Sequence, residues 1–348
     1  MKQALVCLIG LATACQRAPE REPDAPPDLL VVVVDSSWAS APSGPLASKL
    51  AYFAESQAIH AEPAPALRAL LTGQWPGTTS SSVPNTVHSV LRLYGYRTVG
   101  WVPPHLAPAE TPWLTAGLEQ APLSGRACLS DQLDAFARLH PDPSDVAIAG
   151  LFVSAGEDCD IERDQQALAK TLDGRRKSHL VTVVVGLSSG DWDDADGSPV
   201  PFFMAGPGMA PQATAGFASV VDLVPTLLPL AEAVVPSDAI GTDLRPVLAG
   251  QPGPDLVFQQ DAAGRLGIRT RKHLLVASSG GAPLPETPTD PDGLTYLPLT
   301  DAPDTGAART PLYTALVQWD RQRRATSAAE RMGGAAFRKL LSEQGYWH

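Results

Sequence analysis

Positive charge is scarce in this chain. Lys and Arg total 26 against 37 Asp and Glu, for a net charge of −11. That balance excludes a nucleic acid partner, which needs clustered cations to neutralise phosphates. No apolar run is long enough to span a bilayer; the N-terminal one, Ala4 to Ala12, is far short of ~20 residues. Cysteine is scarce, with four in 348 residues, which leaves room for few cross-links. What is abundant is apolar sequence, at 44%, beside 34 prolines and 29 glycines. Strong apolar runs persist throughout, so the Pro and Gly content implies many loops and turns rather than disorder. The length allows one large core plus a smaller unit, at ~150 residues per domain.

Residues 1–14 have the make-up of a signal peptide: Lys2, then the short apolar run, then small residues. Ala12-Thr13-Ala14-Cys15 looks like a bacterial lipobox with Cys15 as the lipidated residue. An ordinary secretory signal cut near the same place is the alternative. Residues 15–27 then form a polar, Pro-rich tether. The expected location is the bacterial cell envelope, at the outer membrane or periplasmic face, with the membrane as partner through the lipid. In an oxidising compartment Cys128 and Cys159 are expected to form a disulfide, with two buried free thiols as the alternative.

Leu29 to Val34 is an unbroken apolar run with four valines, expected as a strand buried on both faces. Val146 to Val153 and Leu180 to Val185 have the same character. Helical spacing covers Pro45 to Gln57, Ala64 to Leu71, Thr86 to Leu93, Ser130 to Leu139, Asp160 to Leu172 and Val220 to Ala233. Arg97 to Trp101 and Pro201 to Ala205 are shorter strands. Strands alternating with helices predict an α/β fold with a doubly wound, mainly parallel sheet over residues 28–250. From about residue 251 the pattern changes to short antiparallel strands (Leu256 to Phe258, Leu266 to Thr270, His273 to Val276, Leu294 to Leu299) and two helices, Leu312 to Arg323 and Ser327 to Ser342. That predicts a smaller C-terminal α+β subdomain over 251–348.

Asp35 stands where the first strand ends, the place at which ligands bind in open parallel sheets. It is either a metal- or oxyanion-handling carboxylate or a plain cap for the turn that follows.

Several segments, in order, resemble the sulfatase family of the alkaline phosphatase superfamily. Asp28 to Trp38 is similar to its first strand, which delivers a metal-binding Asp. Pro65 to Pro76, with Leu70-Leu71-Thr72-Gly73, resembles the helix that follows its nucleophile. Tyr94-Gly95-Tyr96-Arg97-Thr98, Gly206-Pro207-Gly208, Val221 to Leu228, Gly241 to Gly250, Leu266 to Thr270 and Leu341 to Tyr346 complete the likeness. The resemblance implies sulfate-ester cleavage by a Cys, Ser or Thr nucleophile at the head of that helix, with calcium or magnesium. Counting back from Gly73, the nucleophile position falls on Pro63, which has no hydroxyl or thiol. The Arg expected four residues later falls on Leu67; Arg68 lies roughly 100° around the helix.

The implied metal set is thinned too. Asp35 matches, but Ser36 stands where a second Asp often stands. The Asp-His pair expected after the third strand is replaced by Ser188 and Ser189, leaving Asp191 as a weak ligand candidate. Asp191, Asp193, Asp194 and Asp196 lack the closing Glu of an EF-hand and are expected to be a solvated acidic loop. The family's mid-chain His segment is replaced by Ser154 to Asp158. Cys159 and Arg163 repeat the nucleophile motif's spacing, but after the wrong strand. His60, near the nucleophile position, has no acidic neighbour in sequence and is expected as a surface or first-turn histidine. Gly186-Leu187-Ser188-Ser189-Gly190, with His273 downstream, matches a serine hydrolase elbow, but no helix pattern follows it.

The expectation is a sulfatase-like scaffold with a degenerate active site and no catalytic cofactor, acting as a binding or structural protein with an anionic or carbohydrate ligand. The alternatives are a metal-dependent sulfate or phosphate ester hydrolase using Asp35, and a serine hydrolase using Ser188.

Overall fold

The computed structural model describes residues 26–35, 37–38, 41–76, 84–107, 111–120, 128–139, 146–154, 159–174, 179–187, 199–278, 280, 282–287, 293–299, 308–324 and 339. Cys15, Ser36, Ser188, Asp191, Asp193, Asp194, Asp196 and the helix expected at 327–342 lie outside the described residues.

The main sheet has eight strands: β1 (Leu29–Val34), β2 (Ala51–Phe53), β3 (Arg97–Trp101), β4 (Glu119–Gln120), β5 (Ile148–Val153), β6 (Val181–Gly186), β7 (Phe202–Ala205) and β8 (Ala213–Thr214). Their order across the sheet is β4-β3-β5-β1-β6-β7-β2-β8. β1 lies at its centre, parallel to β5 on one side (Leu29 opposite Ala149) and to β6 on the other (Leu29 opposite Val181). Only β7 runs against its neighbours, so the sheet is mainly parallel.

Every residue of β1 is buried, and its alternation sends them into two cores. Leu29, Val31 and Val33 face helices α1 (Pro63–Thr72), α2 (Val87–Leu93) and α5 (Leu223–Leu230). Leu30, Val32 and Val34 face α3 (Leu129–Leu139) and α4 (Ile161–Gly174). Helices on both faces make this the doubly wound α/β architecture that the alternating pattern predicts. A disulfide joins Cys128 to Cys159, with Cα atoms 5.4 Å apart, beside the starts of α3 and α4.

After the short α6 (Arg245–Leu248), a second sheet of β9 (Leu256–Gln260), β10 (Leu266–Thr270), β11 (His273–Ala277) and β12 (Leu294–Pro298) is fully antiparallel. It packs on α7 (Arg309–Arg324) through Trp319, whose ring stacks on Phe258 at 5.1 Å.

Two local expectations are corrected. Pro45 to Gln57 is not a helix but a 3-10 turn at Gly44–Leu46 followed by strand β2. The spacing of Leu46, Leu50 and Phe53 serves a turn and a short strand equally well, and pairing with β7 and β8 decides the matter. The helix expected over Val220 to Ala233 is a 3-10 turn, Val220–Asp222, leading into α5, which ends at Leu230.

Candidate functional site

The carboxyl ends of the parallel strands form one edge of the main sheet, where ligands bind in this architecture. Asp35 projects from the end of β1 and Ser154 follows β5, its N–H bonded to the Val33 carbonyl at 2.8 Å. Leu187 ends β6. The chain leaving β2 crosses the same edge: Gln57 bridges to Pro199, and its N–H bonds to the Ala218 carbonyl at 3.0 Å. It then reaches His60, Glu62 and the start of α1.

Helix α1 forms for ordinary reasons. Pro63 at N1 fixes φ and lacks an N–H that would have no intrahelical partner. Ala66, Leu67, Ala69, Leu70 and Leu71 form its buried stripe. Gly73 closes it in the left-handed conformation at φ 67°, donating its N–H to the Ala69 carbonyl at 2.8 Å. The Leu-Leu-Thr-Gly ending is therefore a packing and capping device.

The head of that helix is chemically bare. Pro63 is exposed and offers only ring methylenes. Pro65 also lacks an N–H, and the Ala66 N–H bonds to the Glu62 carbonyl at 3.3 Å. Ala64 thus keeps the only backbone donor among the first four residues that is not removed by proline or engaged within the helix. A helix N-terminus holds an anion through such donors, and here they are stripped. Leu67 is 0% exposed, packed in the core where a cation would have been needed. Arg68 turns away and lies over the Trp113 ring at 5.5 Å.

Asp35 accepts from its own turn: the Ser37 N–H at 2.8 Å and the Ser37 hydroxyl both bond to its Oδ1. That is the capping arrangement of an Asx turn. Among the described residues no three His, Cys, Asp or Glu side chains come together as a metal-holding group. A hard divalent cation wants several oxygen ligands, and a lone carboxylate engaged by Ser37 does not fit it. We therefore derive no step through a metal.

His60 differs from its expectation. It is only 6% exposed, because the C-terminal sheet covers it: the Ala61 N–H bonds to the Gln260 carbonyl at 3.0 Å, and the Gln260 N–H to the Ile59 carbonyl at 2.8 Å. Its Nδ1 accepts the Glu62 N–H at 2.9 Å. Burial lowers its pKa, against the pull of Glu62 and Asp261 and with the push of Arg323. Contrary to expectation, one acidic neighbour, Glu62, is only two positions along the chain; the other, Asp261, stands 201 positions away, beyond the reach of local pattern. Asp261 is buried and bonded to the Arg265 backbone N–H at 2.7 Å and to its guanidinium. Asp320 is likewise held by Arg323 at 2.7 Å, Arg324 at 2.8 Å and the Leu284 N–H at 2.8 Å. Both carboxylates are fully occupied in structural pairs. His273, the elbow's downstream histidine, pairs instead with Tyr296, whose hydroxyl lies 2.7 Å from Nδ1.

No family model matches the chain, and no curated protein sequence matches it. Solved structures do. A protein in the alkaline phosphatase superfamily from Vibrio parahaemolyticus superposes with a TM-score of 0.59 at 15% identity, over 84% of this chain and 86% of that one. A phosphonate monoester hydrolase from Silicibacter pomeroyi gives 0.58 at 13%, over 85% and 94%. A protein solved with its substrate D-glucosamine-2-N,6-O-disulfate gives 0.58 at 13%, over 86% and 98%. At such identities the likeness is one of fold, and it holds over nearly the whole chain of each.

Proposed function

Starting from an alkaline phosphatase superfamily fold, we propose that this protein is a non-catalytic, lipid-anchored envelope protein with a degenerate sulfatase-like site. Its carboxyl-end edge serves as a binding cleft for an anionic or carbohydrate ligand. One observation carries the reading: the residue heading α1 is Pro63, exposed and without a nucleophilic atom. Hydrolysis of a sulfate or phosphate ester through a covalent intermediate needs an attacking oxygen or sulfur there. The helix keeps its packing stripe and its glycine cap, so the scaffold is intact while the reacting group is gone.

The ligand class rests on analogy of fold. One solved protein of this shape takes a disulfated glucosamine as its substrate. With Ala64 the remaining free backbone donor at the helix head, a sugar held through several hydroxyls suits the edge better than a bare anion.

Calorimetric titration of the purified full chain with D-glucosamine-2-N,6-O-disulfate and with inorganic sulfate tests this. The expected result is saturable binding of the sugar, weaker binding of sulfate, and no sulfate released on prolonged incubation. Sulfate release would overturn the non-catalytic reading. Absence of any binding would overturn the ligand class.

A further inference from the structure

Among the described residues, four large hydrophobic side chains stand exposed: Leu93 at 83%, Val234 at 69%, Val146 at 48% and Tyr94 at 45%. They are far apart in sequence, yet topology gathers them at one place. Leu93 and Tyr94 end α2 and precede the amino end of β3. Val146 precedes the amino end of β5, and the Arg97 N–H bonds to the neighbouring Ala147 carbonyl at 3.0 Å. Val234 follows α5, and its N–H bonds to the Tyr94 hydroxyl at 3.2 Å. All four lie on the amino-end edge of the main sheet, opposite the edge that carries Asp35 and Pro63.

The N-terminal segment arrives on that same edge. Pro26 and Pro27 lead into β1 at its amino end, and the Tyr96 hydroxyl donates to the Pro27 carbonyl at 3.0 Å. The twelve residues 16–27 span at most ~40 Å when fully extended. Among the described residues, Arg97 pairs with Glu119 at 2.7 Å and Lys49 with Asp173 at 2.5 Å, and exposed Arg92 and Glu232, which flank the patch, are of opposite sign. An edge of three aliphatic tips and a tyrosine, next to the tether, matches the headgroup–acyl boundary of a bilayer.

We propose that the amino-end edge, through Leu93, Tyr94, Val146 and Val234, docks on the phospholipid surface to which the chain is anchored. This rests on the lipid-anchored reading of Cys15. Docking here turns the opposite edge, with its binding cleft, away from the membrane and toward a soluble ligand.

The test is hydrogen–deuterium exchange of the full chain, first in detergent and then reconstituted in phosphatidylethanolamine–phosphatidylglycerol vesicles. Amides around residues 92–95, 146 and 232–235 slow at least ~fivefold on reconstitution, while those at 55–64 do not change. Leu93→Glu with Val234→Glu removes the protection without releasing the chain from the vesicles. Protection at 55–64 instead, or none at either edge, would overturn the proposal. So would protection already present in detergent and rising with protein concentration, which marks a second copy of the chain. Mass analysis of the Cys15 peptide reads the anchor separately. If Cys15 carries no lipid, the anchored reading fails, and the edge is then judged by vesicle flotation of the unlipidated chain. Flotation lost roughly tenfold in the double variant supports the surface; no flotation overturns it.

Discussion

The two edges of the central sheet have opposite characters. At the carboxyl-end edge the polar groups are tied down: Asp35 serves its own turn, His60 is buried under the second sheet, and Pro63 offers no reactive atom. At the amino-end edge, apolar side chains that the core has no use for project into solvent. In a catalytic protein of this fold, the chemistry would hold the first edge open and charged, and nothing would demand the second. On the proposed reading, the burden of interaction has shifted from a reacting site to surfaces, as a binding protein requires.

The contrast can be broken by inserting charge. Leu67→Arg returns a cation to the position where the resemblance expects one, but into a fully buried site. It should destabilise the fold by roughly 4 kcal/mol or more in denaturant unfolding, with no hydrolysis gained. If Leu67→Arg were tolerated, the head of α1 would be an open pocket, not core.

His88 sharpens the same point. It is buried near the start of α2, its Nε2 lying 2.9 Å from the Thr86 hydroxyl oxygen, and burial lowers its pKa from 6.5 to about 4. The unfolded chain takes up the proton first. The stabilisation is therefore whole above about pH 6.5 and lost as pH falls toward 4. The loss approaches ~3 kcal/mol at 1.36 kcal/mol per pH unit. Unfolding curves from pH 7 to 4 should show it, and His88→Gln should flatten that slope. An unchanged slope would place the acid sensitivity elsewhere.

Pro63→Ser should cost only about 0.5–1 kcal/mol, from lost pre-organisation at N1. On the proposed reading it should not create an active enzyme, because residue 67 remains leucine where the resemblance expects a cation. Leu93→Glu should change stability by less than ~0.5 kcal/mol, since its side chain touches solvent. Covalent labelling by a fluorophosphonate should be absent altogether; labelling that vanishes in Ser188→Ala would revive the serine hydrolase alternative.

Much of the framework was legible in the sequence because it is written in local pattern. Apolar runs marked β1 and β5, a valine-rich run marked β6, and the Leu-Leu-Thr-Gly ending marked α1 and its cap. Pro63 could be placed by counting along that helix. What escaped was non-local. β2 is a three-residue strand made by its neighbours, not by its own spacing. The strand over His60 is brought by Gln260, and a carboxylate acting on it by Asp261, residues that no window around position 60 contains. The apolar character of the amino-end edge was invisible for the same reason: Leu93, Val146 and Val234 are unremarkable singly, and the sheet alone brings them together.

The most direct test is turnover of an aryl sulfate and an aryl phosphate by the purified full chain, with calcium or magnesium supplied, beside Asp35→Ala. The account predicts rates at the level of buffer for both proteins and both esters. Turnover that requires the metal and disappears in Asp35→Ala would contradict it.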